Sequence, residues 1–224
     1  MDLSGLKGGF IWPQSKLVFL VLLAVAALLA MVAILVHVDF GGDELMEKLK
    51  SGTTDQRLAA IDELSAEGSE KAMRAIAEIT RDEDTRVACR AVLAVASSRL
   101  EIGDRREHIL RAAQDDRPEV RRVAMVGIGR LDDRKRDAEM LAQVARKAQE
   151  APQVRAAALQ ALGKLRAWDQ RHAAIDALSD ASPLVRGQAA AAIRSMTGRD
   201  FHFRANDPPE KRAIAIRLIR ESLR

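Results

Sequence analysis

Pro118-Glu119-Val120-Arg121-Arg122-Val123-Ala124-Met125-Val126-Gly127-Ile128 decides the fold, because the chain repeats it. It returns as Pro152-Gln153-Val154-Arg155 with Ala158 and Ala161-Leu162, and as Pro183-Leu184-Val185-Arg186 with Ala189 and Ala192-Ile193. Two looser copies read upstream, Thr85-Arg86 with Cys89 and Val92-Leu93, and Gln56-Arg57 with Ala60 and Glu63-Leu64. The arginines at 57, 86, 121, 155 and 186 are spaced by 29, 35, 34 and 31 residues. A recurring period of that size belongs to stacked helical units.

Each copy reads as a helix. Proline suits a first turn, where its missing N–H costs nothing and its fixed φ fits. Val120, Ala124, Gly127, Ile128 and Leu131 then form one apolar stripe on a 3.6-residue period. Small residues at 124, 158 and 189 admit a neighbouring helix, and Asp115 and Asp180 stand where they cap or flank a helix start. A second amphipathic stretch precedes each copy: Ala72-Met73-Ile76-Ile79, Ile109-Ala112-Ala113, Leu141-Val144-Ala145-Ala148 and Ala174-Ile175-Leu178. The expected fold is all-α, a solenoid of about five helical pairs. Cys89 reads as an alanine substitute at the small position of its repeat.

The Pro-x-Val-Arg-x-x-Ala frame resembles the HEAT repeat, in the short form of many bacterial proteins and bilin-lyase-like chains, over residues 43–196. The resemblance implies a structural ladder between neighbouring repeats, carried by Arg57, Arg86, Arg121, Arg155 and Arg186 with Asp115 and Asp180. Gln149 stands where copy four should have its aspartate, a departure that interrupts the ladder there. It also implies that second helices line a concave face. Positions offset from the stripe, Arg122, Val126, Arg130, Gln160, Lys164 and Arg194, are the candidates on it, and their basic tilt favours an acidic protein partner or, given the short tether, anionic lipid heads. The expected function is a non-enzymatic interaction scaffold near a membrane. The alternatives are a bilin-lyase-like enzyme or chaperone and a nucleic-acid-binding HEAT protein.

Composition weighs on those alternatives. The 224 residues include 3% aromatics and no tyrosine, which disfavours a ring-lined substrate cleft. With 36 basic against 32 acidic residues the surface is mixed, which argues against nucleic acid. One cysteine excludes an internal disulfide. The histidines at 37, 108, 172 and 202 have no partner at i+3 or i+4, so no metal is expected. Gly127-Ile128-Gly129 lacks a third glycine and a preceding strand, and no nucleophile elbow or phosphate loop is present, so no cofactor, small-molecule substrate or catalytic residue is assigned.

Residues 17–36, from Leu17 to Val36, are twenty apolar residues without a charge. At about 1.5 Å each they span roughly 30 Å, the thickness of a bilayer's hydrocarbon core. They read as an uncleaved single-pass anchor over 17–38, after a short tail (1–16) and before a linker (39–42). Phe10, Trp12 and Phe40 suit its interfaces. Lys7 and Lys16 on one flank, against Asp39, Asp43 and Glu44 on the other, favour a cytoplasmic N-terminus and extracytoplasmic repeats. Gly41-Gly42 is expected to end the span and Asp43 to cap the next helix. At the other end (197–224), Asp207-Pro208 with Glu210 predicts a capped helix that closes the solenoid, with Ala215, Leu218, Ile219 and Leu223 inward and a polar outer side. Phe201 or Phe203 is expected to plug the end of the core.

Overall fold

A computed structural model describes residues 14–98 and 105–224, without the side chains of 14–20, 30 and 32–41. The expected tail and the flanking Lys7, Phe10 and Trp12 lie outside the described residues. So do the side chains of Lys16, Leu17, Val36, Asp39 and Phe40.

The helices are α1 (Gln14–Ser51), α2 (Thr54–Glu67), α3 (Glu70–Glu78), α4 (Thr85–Ser97), α5 (Arg105–Ala112), α6 (Pro118–Ile128), α7 (Arg134–Arg146), α8 (Pro152–Lys164), α9 (Arg171–Ala177), α10 (Pro183–Thr197) and α11 (Pro209–Ser222). Among the described residues there is no strand. The chain divides into two units, Met1–Leu45 and Met46–Arg224.

In the first unit, α1 holds the apolar run. Val21, Leu22, Leu23, Val25, Leu28, Leu29 and Met31 are 46–63% exposed, and Ala24, Ala26 and Ala27 are exposed too. At 100° per residue, the nine consecutive exposed positions 21–29 point in every direction around the helix axis. Among the described residues, no helix is long and apolar enough to cross a membrane. The helix runs through Gly41-Gly42 and Asp43, so the expected linker and N-cap fall inside α1.

The second unit is a helical repeat. α3 with α4, α5 with α6, α7 with α8 and α9 with α10 pack as pairs, and α2, α4, α6, α8 and α10 pack each on the next. These four pairs are preceded by α2, whose Arg57 bonds the carbonyl of the buried Leu49 at the end of α1, and are followed by α11. Buried valine, leucine and isoleucine fill the seam between rows, while alanine and glycine stand where helices meet.

Counting the first residue of each second helix (Thr54, Thr85, Pro118, Pro152, Pro183) as position 1, the starts lie 31, 33, 34 and 31 residues apart. Position 3 is Val87, Val120, Val154 and Val185 in the last four copies, and position 7 is Ala60, Ala91, Ala124, Ala158 and Ala189. Position 11 is Leu64, Val95, Ile128, Leu162 and Ile193. All fourteen of these residues are buried. The register read from Arg86 is therefore two residues out of step: position 4 of that copy is Ala88, and Cys89 is a half-buried outward residue instead of the small packing position.

Positions 10 and 12 explain the glycines. A Cβ on Gly129 would stand 2.9 Å from Ala161 Cβ, and one on Gly163 would stand 2.9 Å from Ala192 Cα. A Cβ on Gly127 would meet Ala96 Cβ at 3.2 Å. Position 12 of one copy thus faces position 10 of the next, and only small residues allow that approach.

The last helix departs from its reading. It starts at Pro209, one residue late, with Pro208 at the N-cap and no side-chain cap. Its buried residues are Ile216, Ile219 and Leu223, whereas Ile214 and Leu218 are 51% and 59% exposed, so its outer side is not wholly polar. Phe201 and Phe203 are half-buried and, with Ala190 and Ile193 of α10, line a cavity of about 150 Å³ at the end of the stack.

Candidate functional site

Two surfaces carry the residues singled out by sequence: the loop edge, where the frame arginines lie, and the outward row of the second helices.

On the loop edge each arginine ties one loop to the next. Arg155 (6% exposed) gives Nη2 to both oxygens of Asp180 at 2.9 Å and Nη1 to the carbonyls of Ala148 and Glu150. Arg121 gives Nη1 to the carbonyls of Asp115 (2.7 Å) and Asp116 (2.8 Å), and Nη2 to Glu150 at 2.7 Å. Glu150, next to Gln149, thus supplies the carboxylate in copy four. Burial alone would raise its pKa, but the hydrogen bonds from Arg121 and the Ala151 N–H, with the charges of Arg121 and Lys147, together outweigh it and hold the carboxyl below its usual range. Arg57 pairs with Asp82 and donates Nε to the Leu49 carbonyl at 3.1 Å. Arg186 donates to the carbonyls of Asp180, Ala181 and Ala205 and, among the described residues, pairs with no carboxylate.

The aspartates flank the helices instead of capping them. Asp82, Asp115 and Asp180 accept the backbone N–H two residues on, at 2.8–2.9 Å, closing an Asx turn before the helix starts.

Arg86 does not belong to the ladder. It is exposed, and its acidic neighbours Asp55 and Asp84 are 3.7 Å away. The gap at Ala88 is filled by Arg117, from the loop of the following copy. Its Nη1 reaches the carbonyls of Asp82 (2.8 Å) and Glu83 (3.0 Å), six and five residues before Ala88, while Nε and Nη2 grip Asp115 at 2.8 and 2.9 Å. Arg121 and Arg186 make the same reach to carbonyls six and five residues before themselves. The guanidinium site is kept, with the side chain arriving from the opposite direction. Nothing in the frame marked Arg117; the apolar register Val87, Ala91 and Val95 would have revealed the vacancy.

On the outward row, Arg122, Arg130, Gln160 and Lys164 are exposed and Val126 is half-buried. They occupy positions 5, 9 and 13 of α6 and 9 and 13 of α8, one strip at four-residue spacing. Arg130 is tied to Ser97. Arg122 and Lys164 form no ion pair among the described residues. On α2, position 9 of the strip is Asp62, which takes Arg90 at 2.5 Å. Arg194 departs from the strip: it is position 12 of the last copy and lines the cavity beneath Phe201 and Phe203. Position 12 must be small in α6 and α8, and it holds an arginine only where no further repeat packs. Cys89 is at position 5 on the same strip, its thiol pushed up by burial.

Asp137 is a buried residue that sequence reasoning missed. One oxygen accepts Arg106 Nη2 at 2.5 Å and the other has no hydrogen-bond partner. Desolvation prevails over the arginine and raises the carboxyl's pKa. Among the described residues, no three His, Cys, Asp or Glu side chains gather as a metal-binding group.

No family model matches this sequence, and no curated protein sequence matches it. Among solved structures, the chain is similar to two engineered proteins crystallised by the Northeast Structural Genomics Consortium. The first is 19% identical, with a TM-score of 0.45 over 74% of this chain and 83% of that one. The second is 18% identical, with a TM-score of 0.45 over 79% of this chain, which spans half of that protein's length.

Proposed function

We propose that the protein is a membrane-anchored scaffold of HEAT type, in which residues 17–36 cross the bilayer and the repeats hold a protein partner beside it. The observation that carries the anchor is the outward exposure of apolar side chains all around positions 21–29. In water that surface would cost about 25 cal/mol per Å², and hydrocarbon removes the cost. The flanking charges favour a cytoplasmic N-terminus with the repeats on the other side.

The partner reading rests on the outward strip. Positions 3, 7 and 11 are committed to the core and position 4 to the loop ladder, which leaves positions 5, 9 and 13 free to vary. Arg122 and Lys164, not neutralised by neighbours, suit an acidic partner. The anchor is tested by washing membranes that contain the full chain with alkaline carbonate; release of the chain would refute it. The strip is tested by pull-down with Arg122→Glu and Lys164→Glu together. Capture of the partner should be lost, and unchanged capture would rule the strip out.

A further inference from the structure

The exposed half of α11 carries two features side by side. Arg217, Arg220 and Arg224 form a stripe along one edge of a depression of about 560 Å³, with Arg212 and one acid, Glu221, among the other lining residues. Ile214 and Leu218, more than half exposed, lie one turn apart on the same helix beside that stripe. The basic groups are largely uncommitted. Arg220 reaches Asp176 at 3.4 Å, and Arg217 and Arg224 form no hydrogen bond or ion pair among the described residues. A cationic stripe flanking exposed aliphatic side chains on a surface helix is the arrangement that lies flat in a headgroup layer, aliphatics towards the acyl chains and guanidiniums on phosphates.

We propose that the outward face of α11 docks on an anionic lipid surface, so that the repeat unit touches the bilayer at a second place. The inference rests on the anchored reading above, because a tether on the same chain supplies the high local concentration that so small a patch needs. Charge complementarity selects the lipid over a second copy of the chain. A second copy would bring the same basic excess, Arg212, Arg217, Arg220 and Arg224 against Glu221, to the contact.

The test uses the full chain in the Cys89→Ser background, with Ile214→Cys carrying a polarity-sensitive dye. It is placed in vesicles of phosphatidylcholine alone or with phosphatidylglycerol as the minor component. Docking shifts the dye's emission to the blue only with the anionic lipid, and the shift reverses in high salt. Arg217→Glu with Arg224→Glu should weaken docking by roughly fivefold or more per arginine, with helical circular dichroism unchanged because both side chains are exposed and unpaired. Equal emission in both vesicles would overturn the proposal. So would a shift that follows protein concentration in detergent, which means self-association, or one elicited by polyglutamate and not by lipid, which means an acidic protein. Carbonate retention, measured on the same vesicles, reads the anchor separately: equal emission from a retained chain overturns the docking alone, whereas loss of retention overturns the anchored reading.

Discussion

Removing Arg117 should break the ladder at its one displaced rung, and an arginine at position 88 should mend it. Arg117→Ala withdraws two bonds from Asp115, whose side chain is only 12% exposed, and leaves the Asp82 and Glu83 carbonyls without that donor. Charge-assisted bonds of this kind are worth about 1.5–3 kcal/mol, and an abandoned partner adds desolvation, so a loss of about 2–3 kcal/mol is expected. For a chain of this size that lowers Tm by roughly 4–12 °C. The assay is thermal unfolding of the full chain in detergent, followed by helical circular dichroism. Ala88→Arg on its own should also destabilise, by about 1–3 kcal/mol, because two guanidiniums would compete for one site. The double variant should recover at least half of the Arg117→Ala loss. Acid adds a second check. The hydrogen bond from Arg117 lowers the pKa of Asp115, so its contribution is present above the unfolded carboxyl's pKa and fades as pH falls through the folded one. The deficit of Arg117→Ala should shrink accordingly. Simple addition of the two single losses in the double variant would refute the equivalence of Arg117 with a position-4 arginine.

Other consequences follow from the same packing. Gly163→Ala should lower stability by about 1–3 kcal/mol although alanine is the better helix former, because its Cβ meets Ala192 Cα at 2.9 Å; a higher Tm would show that the α8–α10 approach is looser. Arg155→Met should cost about 3–5 kcal/mol by stranding Asp180, with part returned by Asp180→Asn in the same chain, read by urea titration. Asp137→Asn should be neutral to stabilising at neutral pH. A carboxyl raised by burial favours folding below its unfolded pKa and loses that support as pH rises through the folded value, so the variant's advantage should vanish in acid; an advantage that grows in acid would contradict the desolvated carboxylate.

The apolar lattice was legible in the sequence: proline starts, valine at position 3 and alanine at position 7 mark helices that pack against helices. In copy two the arginine is a false marker of the register. A guanidinium on a long flexible stem can reach one site from several places in the chain, whereas Val87, Ala91 and Val95 face the core from one register only. Arg194 was misplaced for a related reason. It looks like Arg130 and Lys164 by spacing, but it lies one residue earlier in its helix, at the position that faces a following repeat. Composition alone does not say where a stack ends. Leu218 was assigned inward because i, i+3 and i+4 patterns around Ile219 fit two adjacent faces, and only the contact with α9 selects between them.

The displaced rung also shows what the ladder requires. The loops before α4 and α6 each turn two carbonyl oxygens inward, and the following loop sets a carboxylate beside them, Asp115 in the first case and Glu150 in the second. Three acceptors that converge on one point call for a side chain with several donors in a plane, and only arginine has them. The demand is therefore made by the loop, and the sequence answers it from position 4 of the same helix, as Arg121 does, or from the residue before the next one, as Arg117 does. Core stripe and loop edge are then both satisfied by residues that the outward strip does not share. Arg122 and Lys164 carry no structural duty of this kind, so the fold leaves their charge free to vary.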